Sequence, residues 1–448
     1  MTLENSADSL TSDVGPDQAF IDDFARLSEF GATPAGGLNR EAGSDADVAA
    51  RTWLAEWLTA RGFVVEYDEI GNQFGWFERV PGAPYVLAGS HLDSQPRGGR
   101  FDGAYGVLAA AHAADRLVTG WLSEERVDPV YNVGVVNWFN EEGSRFEPSM
   151  MGSSVFTGKL DLSQALEVAD LSGVTVRDEL SRAGMLGSPV SRDLASYAEI
   201  HIEQGRVLNE TGTTIGVVDS TWAARKHTVT VLGEQSHTGS TVMADRQDAL
   251  YGASLLVVAV REIADELSPA LHASVARLSV YPNSPVAIAR QVDLHIDLRS
   301  ASVDVLDRAE RLLATRVAEI EQRARVRVAR ELAHSWGVLA YQPEGVALAL
   351  AAAEELGLPG RRMMTLAGHD STNLKDVVPS VMMFVPSVGG VSHNEREFTE
   401  DHDSCAGVDL LHRVLQRLTA GELDHDGRGC HASPATSGGR PGTVYENG

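Results

Sequence analysis

Apolar and polar positions change their period along this chain, and the changes divide it. Over residues 44–61, Val48, Leu54, Trp57 and Leu58 recur on one helical face, with Ser44 placed to cap the first turn and Gly62 to end the last. Residues 63–67 and 85–90 are apolar runs of strand length, and an Ala- and Leu-rich helix is predicted over 103–118. Residues 133–139, 198–202 and 381–385 repeat the buried-strand pattern. Strands alternating with helices predict an α/β sheet covered on both faces. Between about 213 and 331 the pattern differs. Residues 227–232 and 292–298 alternate apolar and polar side chains, as half-exposed antiparallel strands do, and helices are predicted near 245–266 and 303–323. That stretch reads as an α+β unit. The change of pattern divides the chain into 16–212, 213–331 and 332–424. The tails 1–15 and 425–448, poor in apolar residues, are expected to be disordered, with His425 and His431 solvated.

Composition narrows the function. At 448 residues the chain exceeds one ordinary core, which agrees with two domains. A net charge of −26 argues against nucleic acid or an anionic membrane as partner, since both reward Lys and Arg. No apolar run approaches the roughly 18 residues that cross a bilayer, and the N-terminus lacks the basic start and apolar core of a signal peptide, so a cytoplasmic location is expected. Cys405 and Cys430 have no CxxC or CxxH spacing, so neither a structural zinc site nor a disulfide framework is indicated.

The chemistry sits in six short segments: Gly89-Ser90-His91-Leu92-Asp93, Phe101-Asp102-Gly103, Asn140-Glu141-Glu142-Gly143, His201-Ile202-Glu203-Gln204-Gly205, Gly368-His369-Asp370 and Ser392-His393-Asn394-Glu395. Most follow an apolar run, the place where α/β sheets put their active loops. The His91-x-Asp93 spacing points both side chains one way, so that Asp93 can fix the ring tautomer that binds metal. Asp102 offers two oxygens and can bridge two cations. Adjacent carboxylates at Glu141 and Glu142 are costly in a buried place unless a cation or shared proton compensates. Each segment alone has an ordinary alternative: an Asx turn for Asp102, an acidic helix start for Glu141 and Glu142, a paired core histidine for His201. Together they supply what a two-metal hydrolytic site requires.

The same segments resemble the M20 peptidase superfamily in its carbamoylase and allantoate amidohydrolase branch. The chain has Gly89 to Ser94, Gly98-Gly99, Phe101 to Gly103 and Gly106-Val107, then Glu141 to Phe146, His201 to Gly205, and Phe384 to Ser387 leading to Ser392-His393. The resemblance spans roughly 32 to 418. It implies a two-domain fold, with a mixed-sheet α/β catalytic domain and an inserted α+β lid and dimerisation domain. It implies two divalent cations per subunit (Zn, Mn, Co or Ni), held by His91, Asp102 and His201 and by Asp102, Glu142 and His393. Glu141 is then the general base, Asp93 a supporting catalytic residue, and Gln204 a contact for a substrate amide or ureido group. His237, in the lid, would stabilise the oxyanion, commonly in a partner subunit's site, and Arg299 would bind a substrate carboxylate. His369 and Asp370 are expected to support the site or to pack. The implied reaction is hydrolysis of a linear C–N bond other than a peptide bond, in an N-carbamoyl-L-amino acid or similar ureido acid, by a homodimer. Allantoate amidohydrolase is the near alternative, with an aminoacylase or peptidase and a non-catalytic binding protein behind it. The lid departs from the family pattern: Val242 replaces a proline after Ser240-Thr241, and Val286 stands where the family has a substrate-binding asparagine.

Overall fold

The computed structural model describes residues 15–123 and 129–423, so nearly all of both expected tails, with His425, Cys430 and His431, lies outside the described residues. The strands in chain order are β1 (Val64–Tyr67), β2 (Gln73–Phe77), β3 (Tyr85–His91), β4 (Asn132–Trp138), β5 (Leu194–Ile202), β6 (Ile215–Thr221), β7 (Ala223–Leu232), β8 (Ser236–His237), β9 (His272–Tyr281), β10 (Ala287–Ile288), β11 (Gln291–Ser300), β12 (Arg327–Trp336), β13 (Gly360–Thr365) and β14 (Ser380–Val385). Eight of them form one mixed sheet in the order β1-β2-β4-β3-β5-β14-β6-β13. Within it β4, β3, β5 and β14 are neighbours and parallel, so their carboxyl ends open on one edge. Buried helices Ala104–Leu122 and Asp401–Thr419 pack on this sheet, and its core runs through Val86, Val107, Ile200, Phe384 and Leu411. The helix Asp45–Ala60 begins where the pattern placed it, with the Ser44 side chain accepting from the Asp47 N–H. Among the described residues no helix is long and apolar enough to cross a membrane.

The lid sheet has the order β12-β7-β11-β9, entirely antiparallel, with helices Ala249–Glu266 and Val303–Ala324 on one face. Val229 and Val231 of β7 and Val292, Leu294, Ile296 and Leu298 of β11 point into that helical layer. The alternate residues Ala224, Lys226, Asp297 and Arg299 therefore look out of the opposite face. Sheet membership shifts the boundaries expected at 213 and 331. Ile215–Thr221 pairs with β13 and β14 in the large sheet, and the last lid strand runs on to Trp336. A seven-residue apolar strand has no local mark of which sheet it joins, and only its long-range pairing decides.

Candidate active site

His91 ends β3, His201 lies next to the end of β5, Glu141 and Glu142 follow β4, and His393 follows β14. Each parallel strand delivers its group to the same edge, where a cavity of about 260 Å³ is lined by all of these residues with Asp102, Gln204, Lys226 and Arg299. The turns that bring them there are tight. Asn140, Gln204 and His393 are non-glycine residues with φ of 52°, 57° and 52°, a left-handed conformation that costs energy and tends to persist where function demands it. Gly103 has φ 65°, and a Cβ there would lie 2.3 Å from the His91 ring, so only glycine lets the Asp102 loop close on that imidazole.

Ligand atoms of His91, Asp102 and His201 converge within 4.8 Å of one another, as do those of Asp102, Glu142 and His393. The proton positions say what fits between them. His91 Nδ1 lies 2.9 Å from the Asp93 carbonyl oxygen and His201 Nδ1 2.9 Å from that of Ile202, so each neutral ring donates from Nδ1 and leaves its Nε2 lone pair free. Those lone pairs face carboxylate oxygens: His201 Nε2 is 3.2 Å and His91 Nε2 3.7 Å from Asp102 Oδ1. His393 Nε2 lies 3.3 Å from Asp102 Oδ2 and 3.4 Å from Glu142 Oε2. Acceptor facing acceptor is unfavourable unless a proton or a cation lies between. The Gly103 N–H also points at His201 Nε2 from 3.0 Å, which disfavours a proton there. The donor set therefore fits two divalent cations sharing Asp102.

Charge supports that reading. Burial, then the carboxylates of Asp370, Glu142, Asp93 and Asp102, push Glu141 well above the usual carboxylate range. Burial and Asp102 raise Glu142 to about 8. Asp102 goes the other way. Burial opposes its charge, but hydrogen bonds with His201 and His393 hold it well below the ordinary value. Burial lowers His91 to about 4, whereas at His201 burial is outweighed by Asp102, the Ile202 carbonyl and Glu199 together, which lift the ring to about 9, so a proton or a cation is held at Nε2. The cluster carries an excess of negative charge that divalent cations would offset.

Residues 87–417 match the model of peptidase family M20/M25/M40. A protein of Mycolicibacterium smegmatis described only as a hydrolase is 56% identical over 93% of this chain and 96% of its own length. The chain belongs to the M20 family. An N-carbamoyl-L-amino-acid amidohydrolase of Rhizobium meliloti is 33% identical, covering 88% of this chain and 95% of its own. The crystal structure of an amidase of the hydantoinase/carbamoylase family from Burkholderia vietnamiensis matches with a TM-score of 0.85 at 36% identity, over 92% of this chain and 100% of that one.

Within this M20 site Asp93 works differently from the sequence expectation. The Asp93 carboxylate does not hold the His91 ring, which lies 3.7 Å away and bonds the Asp93 main-chain carbonyl instead. It accepts the N–H groups of Glu141 and Glu142, each at 3.2 Å, and so fixes the loop that carries the paired glutamates. His369 packs beside His201, with ring centroids 4.6 Å apart and planes tilted by 56°, and lines the cavity, while Asp370 is buried. Gln204 Nε2 donates to Asp102 Oδ2 at 2.8 Å and to Ser392 at 3.1 Å, leaving its Oε1 buried with no partner.

His237 is not brought into this cavity. It is exposed on β8, and its Nδ1 accepts from the N–H groups of Gly239 and Ser240 at 2.9 and 3.1 Å. That pairing leaves the proton on Nε2, the tautomer that donates. The departure at Val286 lies beside it, since Thr238 N–H donates to the Val286 carbonyl and Ala287 pairs with His237. Val242 and Val286 are both exposed.

Two supporting residues were missed. Glu397 accepts from the N–H groups of Phe101 and Asp102 at 2.9 and 3.0 Å and from the Ser392 hydroxyl, tying the two ligand loops together. Lys226 enters the cavity from β7, directly opposite Asp297, with its ammonium over the Trp336 ring at 5.6 Å. Its parity opposite to Val229 and Val231 was a usable signal, but only the register with β11 brings it near Arg299. Arg299 itself donates to Asp297 Oδ2 and, at 2.8 Å, to the Leu366 carbonyl. If these two cations hold a substrate carboxylate, Arg299→Ala should cut kcat/KM by about 30-fold or more on acid substrates, and Lys226→Met by less, because an anion in a desolvated site loses its partner. A matched amide or ester should hardly notice either change. Equal losses on charged and neutral substrates would make Arg299 structural.

Proposed function

We propose that the chain is a homodimeric, two-metal amidohydrolase that cleaves the ureido C–N bond of an N-carbamoyl-L-amino acid or similar ureido acid. The observation that carries the reading is the cavity that gathers both metal-ligand triads with Gln204, whose buried Oε1 has no hydrogen-bond partner. A ureido NH₂ on the scissile carbonyl can supply the donor that this oxygen lacks, whereas a peptide substrate has carbon at that position. Arg299 and Lys226 supply positive charge on the lid side of the same cavity for the acid end. Divalent cations bound there would polarise the carbonyl and make a water acidic near neutral pH. Glu141, outside both triads with Oε2 3.5 Å from His91 Nε2, is the base that takes a proton from the attacking water and delivers it to the leaving amino-acid nitrogen. Asp93 and Glu397 hold the loops of Glu141 and Asp102 still while this happens. With a carbamoyl substrate, one water yields the amino acid, ammonia and carbon dioxide.

His237, with its donor Nε2 exposed away from its own cavity, stabilises the oxyanion in a partner's site, which requires lid domains to pair. Light scattering of the active enzyme should give a dimer, and His237→Ala should lower kcat while dimerisation persists. A fully active monomer would contradict this arrangement. Ammonia release from N-carbamoyl amino acids tests the reading as a whole.

A further inference from the structure

We propose that a second cavity, between Trp222 and Trp336, is the pocket for the substrate's side chain and selects bulky apolar α-substituents. This inference rests on the ureido-acid reading above and names its substrate class. The cavity has a volume of about 190 Å³, and its walls include Met150, Trp222, Ala224, Trp336, Leu339 and Leu366. It adjoins the metal-ligand cavity, sharing Met150, Arg299, Trp336, Ala367 and Gly368 with it.

The lid register builds it. Arg299 of β11 and Trp336 of β12 both lie directly opposite Ala224 of β7, so the three share one face of the sheet. Trp222, just before β7, has its ring 4.9 Å from that of His272, which lies opposite Arg299. Ala224 is the small member of the row, and both indoles line the cavity with it. An apolar cavity of about 150 Å³ accepts benzene, so this one has room for a leucine or phenylalanine side chain.

Its polar groups are mostly spent. Trp336 Nε1 donates to the Trp222 carbonyl at 3.2 Å, Thr221 Oγ1 accepts from Leu339 N–H at 3.2 Å, and Lys159 pairs with Asp376 at 2.6 Å. Asn373 Nδ2 donates to Ser153 and Ser154. Among the buried side-chain polar atoms of the described lining residues, Thr372 Oγ1 alone has no hydrogen-bond partner. A second ureido arm, as in allantoate, would give up water here for one hydroxyl, whereas an apolar group gives up nothing. With the ureido carbonyl at the triads and the carboxylate at Arg299, a third substituent on the same α-carbon is carried past Arg299 into this pocket.

The test is kcat/KM for the N-carbamoyl derivatives of glycine, L-alanine, L-leucine and L-phenylalanine, and for allantoate, with the parent enzyme and with Ala224→Leu and Leu339→Ala. The parent should prefer the leucine or phenylalanine derivative to that of glycine by at least about tenfold. Ala224→Leu should lower the phenylalanine-to-glycine ratio by about tenfold, and Leu339→Ala should lower the leucine-to-glycine ratio. If Ala224→Leu does not fold, the parent profile and Leu339→Ala decide alone. A flat profile across the series, or ratios untouched by the variants, overturns the pocket and leaves the ureido-acid reading standing. Turnover of allantoate with none of the N-carbamoyl amino acids overturns both.

Discussion

Replacing Asp102 with alanine should strip the enzyme of both cations and lower kcat by about a thousandfold or more, because metal polarisation supplies several kcal/mol. Asp102 is the one residue common to the two triads, with Oδ1 towards His201 and His91 and Oδ2 towards His393. His393→Ala removes a ligand from one triad only and should leave close to one tightly held cation per subunit. His393 is also half exposed, at 50% of its side-chain surface, so the cation it helps to hold should exchange faster. Elemental analysis after dialysis separates the cases. Equal metal content in the two variants would mean that Asp102 does not bridge.

Glu141→Gln should keep the metal content of the parent and lose at least about a hundredfold in kcat. The carboxamide preserves shape and removes the proton acceptor, and Glu141 belongs to neither triad. Burial and the carboxylates of Asp370, Glu142, Asp93 and Asp102 already oppose a charge on Glu141, so a neutral carboxamide should leave the variant no less stable than the parent. A structural residue would show the opposite pattern, with stability falling and kcat held. Near-parent turnover with full metal content would take Glu141 out of the mechanism.

That His91, Glu142 and His201 would converge was legible in the chain because each stands at or just past the end of an apolar strand, and strand ends on one edge of a parallel sheet must meet. The helix over Asp45–Ala60 was legible for a local reason too, its Ser44 cap. What the chain hid depends on pairing between distant segments. Ile215–Thr221 could not be assigned to its sheet without β13, and Trp222, Ala224, Trp336 and Arg299 become one surface only through the register of β7 with β11 and β12. Asp93 shows a subtler limit. Spacing placed its carboxylate near the His91 ring, but two free N–H groups at Glu141 and Glu142 competed for it, and a backbone carbonyl took its place at the ring. His237, expected at the site, is not among the residues that line the cavity of its own chain, and no local feature of its segment could have shown that.

The most direct test of the account is ammonia release by the metal-reconstituted enzyme from N-carbamoyl-L-leucine and allantoate, measured beside hydrolysis of N-acetyl-L-leucine and a leucine dipeptide. The account predicts ammonia and free leucine in equal amounts from the carbamoyl substrate, with the acetyl and peptide substrates slower by at least about a hundredfold, since each has carbon where the carbamoyl group carries NH₂ on the scissile carbonyl. Faster cleavage of the acetyl or peptide substrate, with no ammonia released from N-carbamoyl-L-leucine, would contradict it.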